Sequence, residues 1–244
     1  MNLEKITYNG VGSDTLGIYV SRGSSYDAAA PDYVSYQIPG KNGDLQINNN
    51  RYLNIDVSYP VFIPGGFPST VQAVRNWMRG SNTYARLEDT YDTTHYRMGR
   101  GKDILAFTPT VANRGANFEL IFDCKPQRWL TSGETASTIT NGSTRDNPTQ
   151  YNALPMFTMQ SNTNTAYITV TNTLGTFTMT ATTARNYRTI IDCEAMNIYQ
   201  VSGNVVTNLN ANWTGDFPVL APGTNTFAIS GVTSLSVTPR WWEL

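Results

Sequence analysis

The side chains able to carry chemistry are few and scattered. A single histidine, His95, stands in the run Asp92-Thr93-Thr94-His95-Tyr96. Acyl transfer needs a base beside a serine or cysteine nucleophile, and neither a cysteine nor a Gly-x-Ser-x-Gly elbow lies near it in sequence. One histidine and two distant cysteines, Cys124 and Cys193, fall short of the about four ligands that hold a structural zinc ion. Glu88, Asp89 and Asp92 offer oxygens without the alternating spacing of a calcium loop, and read as a solvated acidic loop. Glycoside hydrolysis needs only two carboxylates, and Asp123 with Asp192 is a pair that folding would have to bring together. Gly65-Gly66 precedes Pro68 and lacks the glycine-lysine pattern of a phosphate loop. No catalytic, cofactor or metal site is expected, and the chain reads as a non-enzyme.

One basic cluster remains. Arg97, Arg100 and Lys102 lie in Tyr96-Arg97-Met98-Gly99-Arg100-Gly101-Lys102-Asp103, which the glycines make look like a loop. Such a cluster is either simply solvated or a contact with a neighbouring subunit's carboxylates, which arginine suits; a passing DNA backbone is a further partner.

The elements that must position these residues are mostly strands. Only 14% of the 244 residues are charged, against about 25% in ordinary soluble domains, while Thr, Asn, Ser, Gly and Tyr abound. The net charge of −1 argues against a nucleic-acid binder. Residues 1–130 hold 13 Lys/Arg and 12 Asp/Glu, and residues 131–244 hold 4 and 6, so the second half is unusually uncharged. The N-terminus, Met1-Asn2-Leu3-Glu4-Lys5, shows no secretory signal, and no window approaches the roughly 18 apolar residues of a membrane span. Synthesis and retention in the cytoplasm, no membrane insertion and two reduced, buried thiols are the expectations. The sequons at Asn141 and Asn212 carry no weight without such a signal.

Residues 6–20 alternate and turn, and Tyr36-Gln37-Ile38-Pro39-Gly40-Lys41-Asn42-Gly43-Asp44-Leu45-Gln46-Ile47 reads as a hairpin. Leu53, Ile55, Val57 and Tyr59 then share one face of a half-buried strand. Helical spacing of Val71, Val74, Trp77 and Met78, with Ser69 or Thr70 as cap and Gly80 as stop, predicts one helix over 69–79. Trp77 in that stripe reads as core. Phe118, Leu120, Phe122 and Cys124 alternate until Pro126 is expected to end the strand. The domain boundary is expected inside or beside the polar stretch 131–152, with its Asn-Gly and Asn-Pro turns, which is expected to be cut first by proteases, although part of it can still be a strand of the second domain. From Met156 onward strand follows strand at sandwich spacing. The division expected is 1–130, a β domain with one helix, and 131–244, a β-sandwich. Adjacent Trp241 and Trp242 in the last strand must face opposite ways, so at most one is an ordinary core residue. The other either meets a partner surface or covers an edge of its own domain.

The order of these elements resembles the siphophage distal tail protein. The resemblance is carried by Leu16-Gly17-Ile18, the Ile38-Pro39-Gly40-Lys41-Asn42-Gly43 turn, the helix over 71–78, the Tyr96-Arg97 pair and the strand 118–128 in NFELIFDCKPQR. Asn152-Ala153-Leu154-Pro155, Ile190-Ile191-Asp192-Cys193-Glu194 and Pro239-Arg240-Trp241-Trp242-Glu243-Leu244 carry it in the second half. It implies a mainly β protein: an N-terminal β-sandwich-like domain with one α-helix that forms a probably hexameric ring around a channel passing DNA, and a galectin-like C-terminal sandwich. The partners it implies are further copies of the chain, the tail tube protein, a tail-tip or tail-associated protein, and receptor-binding or baseplate components. No cofactor is implied, and the location implied is the virion tail tip, assembled in the host cytoplasm. Arg97, Arg100, Lys102, Trp241 and Trp242 are the candidate interface residues. The alternative is another virion or secreted module that binds carbohydrate or cell surfaces. Against it, galectins bind sugar through a histidine and a stacking tryptophan; the second half has no histidine, and Trp213 stands in Asn212-Trp213-Thr214 without the expected neighbours.

Overall fold

Alternation dictates the first sheet. In the strand Ile55–Ile63, Val57, Tyr59, Val61 and Ile63 are buried, with Asp56, Ser58 and Phe62 on the other side. It lies antiparallel to Ala116–Leu130, in a register from Ala116 opposite Ile63 to Cys124 opposite Ile55, which adds Phe118, Leu120, Phe122 and Cys124 to the same buried face. Leu53, expected on that face, precedes the strand and is exposed. Pro126 does not end the long strand. Its pairing with Ile55–Ile63 finishes at Cys124, so beyond that point a missing N–H breaks no ladder bond on that side.

The computed structural model describes residues 4–21, 28–102, 106–109, 114–182, 188–202 and 204–244. Residues 1–3 and Asp103, which entered the reading of the N-terminus and of the basic cluster, lie outside the described residues. The chain divides into two units, Met1–Arg128 with Leu244, and Trp129–Glu243.

In the first unit the sheet runs Val11–Gly12, Ile6–Tyr8, Ala85–Asp89, His95–Gly101, Ala116–Leu130, Ile55–Ile63, Tyr19–Val20. Residues 96–101, expected as a loop, belong to a strand: Gly99 pairs with Ala85 and Arg97 with Leu87. The helix spans Phe67–Arg79, starting two residues earlier than expected because left-handed Gly66, φ 70°, turns the chain into it without a side-chain cap. Val74 and Met78 are buried on its inner stripe, and Trp77 packs against Tyr8 and Phe122 at ring distances of 5.8 and 6.5 Å. The Trp77 indole N–H donates to the Tyr8 carbonyl at 3.2 Å, which makes Trp77 the core residue its spacing implied. A Cβ at Gly101 would stand 2.3 Å from the Met78 carbonyl oxygen, so glycine lets the helix end approach this strand.

The second unit is a sandwich. One sheet orders Ser137–Thr138, Ser234–Thr238, Met156–Gln160, Arg188–Asp192, Asn197–Ser202, Val205–Asn208; the other orders Thr144–Asn147, Gly223–Ser230, Ala166–Asn172, Gly175–Ala181, Trp213–Gly215. Phe157, Met159, Ile168, Val170, Ile191, Phe227, Leu235 and Val237 fill the space between them. The protein is thus mainly β, with a β-sandwich as its second unit and a single α-helix among the described residues.

The polar stretch 131–152 is not an open linker. Ser137–Thr138 and Thr144–Asn147 are strands of the two sheets, Ile139 is in the core, and Asn147 and Thr149 are buried. Asn147 donates to the Tyr151 and Leu220 carbonyls and accepts from the Thr149 N–H and hydroxyl. Fully buried Asn225 does more: its amide donates to the carbonyls of Arg145, Ala221 and Gly223 and accepts from the Ala221 N–H and the Asn172 amide. Polar residues therefore close this end of the sandwich because their hydrogen-bonding capacity is used internally. Asn225→Ala would leave those backbone groups unpaired in the interior. It is expected to lower stability by about 2–4 kcal/mol, read as a lower urea midpoint at unchanged slope; an unchanged midpoint would refute the role assigned to Asn225.

Candidate interaction surfaces

The carboxylates singled out by sequence are engaged by structural partners. Asp92 accepts from the Arg128 guanidinium at 2.5 Å and lies 2.9 Å from His95 Nδ1. Burial alone would raise the Asp92 pKa, but hydrogen bonds from Thr94, with His95 and Arg128 beside it, hold it at about 2. Glu88 pairs with Arg86 at 2.6 Å, and Asp89 accepts the Tyr59 hydroxyl at 2.7 Å. These groups border an open cavity of about 230 Å³ with Lys5, Thr7, Thr90 and Thr93. Each of its three carboxylates already has a donor or cation, and no group of His, Cys, Asp or Glu among the described residues is placed to hold a metal ion. Cys124 and Cys193 are free, buried thiols whose pKa burial pushes to about 12, so they pack as small apolar groups.

The strand His95–Gly101 splits the basic cluster. Arg97 is directed to the face opposite Arg100, donates to the Pro126 carbonyl at 3.5 Å, and has its pKa lowered chiefly by burial. Tyr96, its neighbour in the family-like pair, carries the Arg86 guanidinium 3.8 Å over its ring. Arg100 reaches Asp123 at 2.8 Å, and Lys102 reaches Asp56 at 2.5 Å. Asp123 also accepts from Asn54 and Tyr84. Burial raises its pKa, and Asn54, Arg100 and Tyr84 outweigh that to leave it lowered. Arg100 and Lys102 therefore form a half-exposed surface with matched carboxylates, not a run of unbalanced positive charge.

In the second unit, Asp192 is gripped by both nitrogens of Arg240, at 2.7 and 2.9 Å, and also accepts the N–H groups of Glu194 and Ala195. The pKa of Asp192 is lowered, first by Arg240, and that of Arg240 is raised by the same hydrogen bonds. Both halves of the Asp123 and Asp192 pair thus serve as anionic partners, whereas glycoside hydrolysis needs one carboxyl with a raised pKa. Arg240 holds a left-handed backbone, φ 59°, strained by about 1–3 kcal/mol for a non-glycine residue. The two sequence motifs 190–194 and 239–244 meet through this pair, which no local signal announced.

Trp241 is in the core, so it is not a contact residue; the Gly133 turn packs on it so closely that a Cβ there would lie 2.4 Å from its backbone nitrogen. Trp242 points away, stacks on Tyr151 at 4.5 Å, and donates its indole N–H to the Asn152 carbonyl at 2.9 Å. Opposite facing is as expected, and Trp242 covers an edge of its own unit.

The surface the sequence reading missed is on the hairpin. Among the described residues, Pro31–Tyr36 and Leu45–Tyr52 pair only with each other, as a two-stranded ribbon outside the larger sheet. Val34 opposes Ile47 and Tyr36 opposes Leu45, so these four share one face, each 41–51% exposed. Ser35 and Gln46 lie on the other. The alternation on both sides of the Pro39-Gly40 turn was the available signal.

The chain is thus two units of strands, one a sandwich, the other a larger sheet with a separate two-stranded ribbon. The chain superposes on the crystal structure of the Dit protein of phage SPP1, described as a paradigm of the hub adsorption apparatus in phages infecting Gram-positive bacteria, with a TM-score of 0.76 at 12% identity over 100% of both chains. It also superposes on chains of the phage p2 baseplate in its activated conformation, solved with strontium and with calcium, each with a TM-score of 0.56 at 10% identity over 96% of both chains. No curated protein matches the chain. Residues 148–241, within the second unit, match the family model for the C-terminal domain of the siphovirus-type tail component. The resemblance to siphophage distal tail proteins read from the motifs therefore holds.

The Arg240–Asp192 pair has a pH signature. Asp192 has a lowered folded pKa, so its contribution is present above about pH 4, its unfolded value, and is lost as pH falls through the lowered one. Asp192→Asn should cost about 3 kcal/mol at pH 7, because it leaves a half-buried guanidinium without its anion. The difference from the parent protein should shrink as pH drops from about 5 to 3. A gap in thermal or urea stability that is constant with pH would show that the pair contributes nothing through its charge.

Proposed function

We propose that this chain is a structural, non-enzymatic subunit of a siphophage tail tip. Copies close into a hexameric ring at the distal end of the tail tube, around a channel through which DNA passes without being bound. The ring acts as a hub for tail-tip or tail-associated, receptor-binding and baseplate components. It belongs to the virion and assembles in the host cytoplasm.

The observation that carries the reading is the uncovered apolar face of the hairpin, Val34, Tyr36, Leu45 and Ile47. An isolated two-stranded ribbon is marginal in water, and a contiguous exposed apolar face marks an interaction surface. Every copy presents the same face, and head-to-tail contacts that close satisfy all of them in a ring. Arg100 and Lys102, with Asp123 and Asp56, supply charged groups of the kind found at the rim of such a contact. The likeness to a hub protein and to chains of a phage baseplate supports the same role.

Native mass spectrometry or negative-stain microscopy of tail tips should give six copies, or a multiple of six, around a central hole. The double variant Val34→Asp with Leu45→Asp should keep the melting temperature of the single chain, since both positions are exposed, yet lose the ring. A different copy number, or wild-type rings from the double variant, would overturn the reading.

A further inference from the structure

Among the described residues, one side of the second unit ends in two open sheet edges. Val205–Asn208 is the last strand of the six-stranded sheet, and Trp213–Gly215 is the last strand of the five-stranded sheet. The short helical turn Asn210–Asn212 joins them, so both edges lie on the same flank. Exposed edges are normally blunted by charge or proline, because unpaired N–H and C=O groups invite another strand. Here neither device is present: residues 195–215 contain no charged residue and no proline. Val205 and Val206 are 63% and 64% exposed, and the register puts Val206 beside exposed Val201 on the outer face.

A cavity of about 170 Å³ opens at the base of this hairpin. It is lined by Met179, Met196, Ile198, Asn210, Trp213 and Phe217, with the backbone of Thr214 and Gly215 alongside. Its walls come from both sheets, so it is the mouth of the sandwich between the two edges. The Asn210 side chain is already committed, accepting the Ile198 N–H at 2.6 Å, which leaves a largely apolar lining of adaptable Met side chains. Met196, at the rim, is exposed and holds a left-handed backbone with φ 49°. Asp192, opposite Asn197 in the sheet, is bound by Arg240, and the exposed Asp216 stands between the lining residues Gly215 and Phe217.

We propose that this flank docks an extended, uncharged segment of another tail protein, which adds as a strand to the Val205–Asn208 edge and seats one apolar side chain in the cavity beside Trp213. The edge supplies main-chain pairing and the cavity supplies selection, the division of labour in strand-addition recognition. The uncharged 195–215 run has only exposed carboxylates, Glu194 and Asp216, at its two ends, so an acidic side chain would lose hydration there and gain no ion pair, and the apolar lining favours an uncharged one. Only the source of the segment rests on the tail-subunit reading; the chemistry rests on this unit alone.

The test uses the full chain, isotopically labelled for NMR, and millimolar uncharged peptides of Thr, Asn and Ser around one central residue: Leu, Phe, Ala or Asp. With Leu or Phe, shifts should appear at the Val205–Asn208 amides and the Trp213 indole. Binding should weaken about tenfold with Ala and more with Asp. Exposed-site variants Val206→Lys and Met196→Asp should keep the melting temperature and lose the response. Native mass measurement separates the two levels: these variants should still assemble as the parent does, so a failed ring alongside normal peptide binding would count against the hub reading only. No shifts at these amides with any peptide, equal binding of the Asp peptide, or concentration-dependent shifts without peptide, meaning a second copy occupies the edge, would overturn the proposal.

Discussion

The antiparallel register of Ala116–Leu130 with Ile55–Ile63 is the constraint on which the first unit depends. It sets Phe118, Leu120, Phe122 and Cys124 against Val57, Tyr59 and Val61 on one face. A slip of one residue would send that set to solvent and bring Glu119 and Asp123 inward, so the apolar pattern tolerates no alternative pairing. Everything else in the unit is placed by this face. Tyr8 and Trp77 pack on Phe122, the helix lays Val74 and Met78 over the sheet, and Gly101 permits the helix end to come close. The polar side of the same strands then carries Asp123 and Asp56, which is why the exposed cations of the next strand have partners waiting.

The second unit solves a different problem, a sandwich poor in charge and rich in Thr and Asn. Its sheets are held apart by apolar side chains, but one of its ends is closed by amides. Asn147 and Asn225 stitch backbone groups that the strands cannot pair, and buried amides of this kind stabilise only when every donor and acceptor is met. The one strong ion pair, Arg240 with Asp192, ties the last segment of the chain to the middle of a sheet. It accounts for two of the motifs by which the family resemblance was drawn.

What is left over is instructive. Asp92, Asp123 and Asp192 are committed to structural partners, whereas the apolar hairpin face and the uncharged sandwich flank are exposed. Uncovered surface rather than poised protons is what the proposed role calls for. The likeness in fold to hub and baseplate proteins, at identities of 10–12%, shows that this arrangement survives nearly complete change of sequence.

Sequence alone determined what depends on local periodicity. The alternation of Val57 and Tyr59, the helical spacing of Val74 and Met78, the turn at Pro39-Gly40 and the opposite facing of Trp241 and Trp242 are short-range patterns, and they are what the structure shows. Tertiary structure decided whatever depends on partners far away in the chain. Glycines at 99 and 101 looked like a loop until Gly99 proved to lie against Cys124 and Gly101 against the helix end; Pro126 looked like a stop until its strand proved to have finished pairing on one side. The polar run 131–152 looked open to proteases because burial of Asn147 depends on Leu220, 73 residues away. A side chain's type states what it can bond to, and only the folded chain brings the partner that decides whether it does.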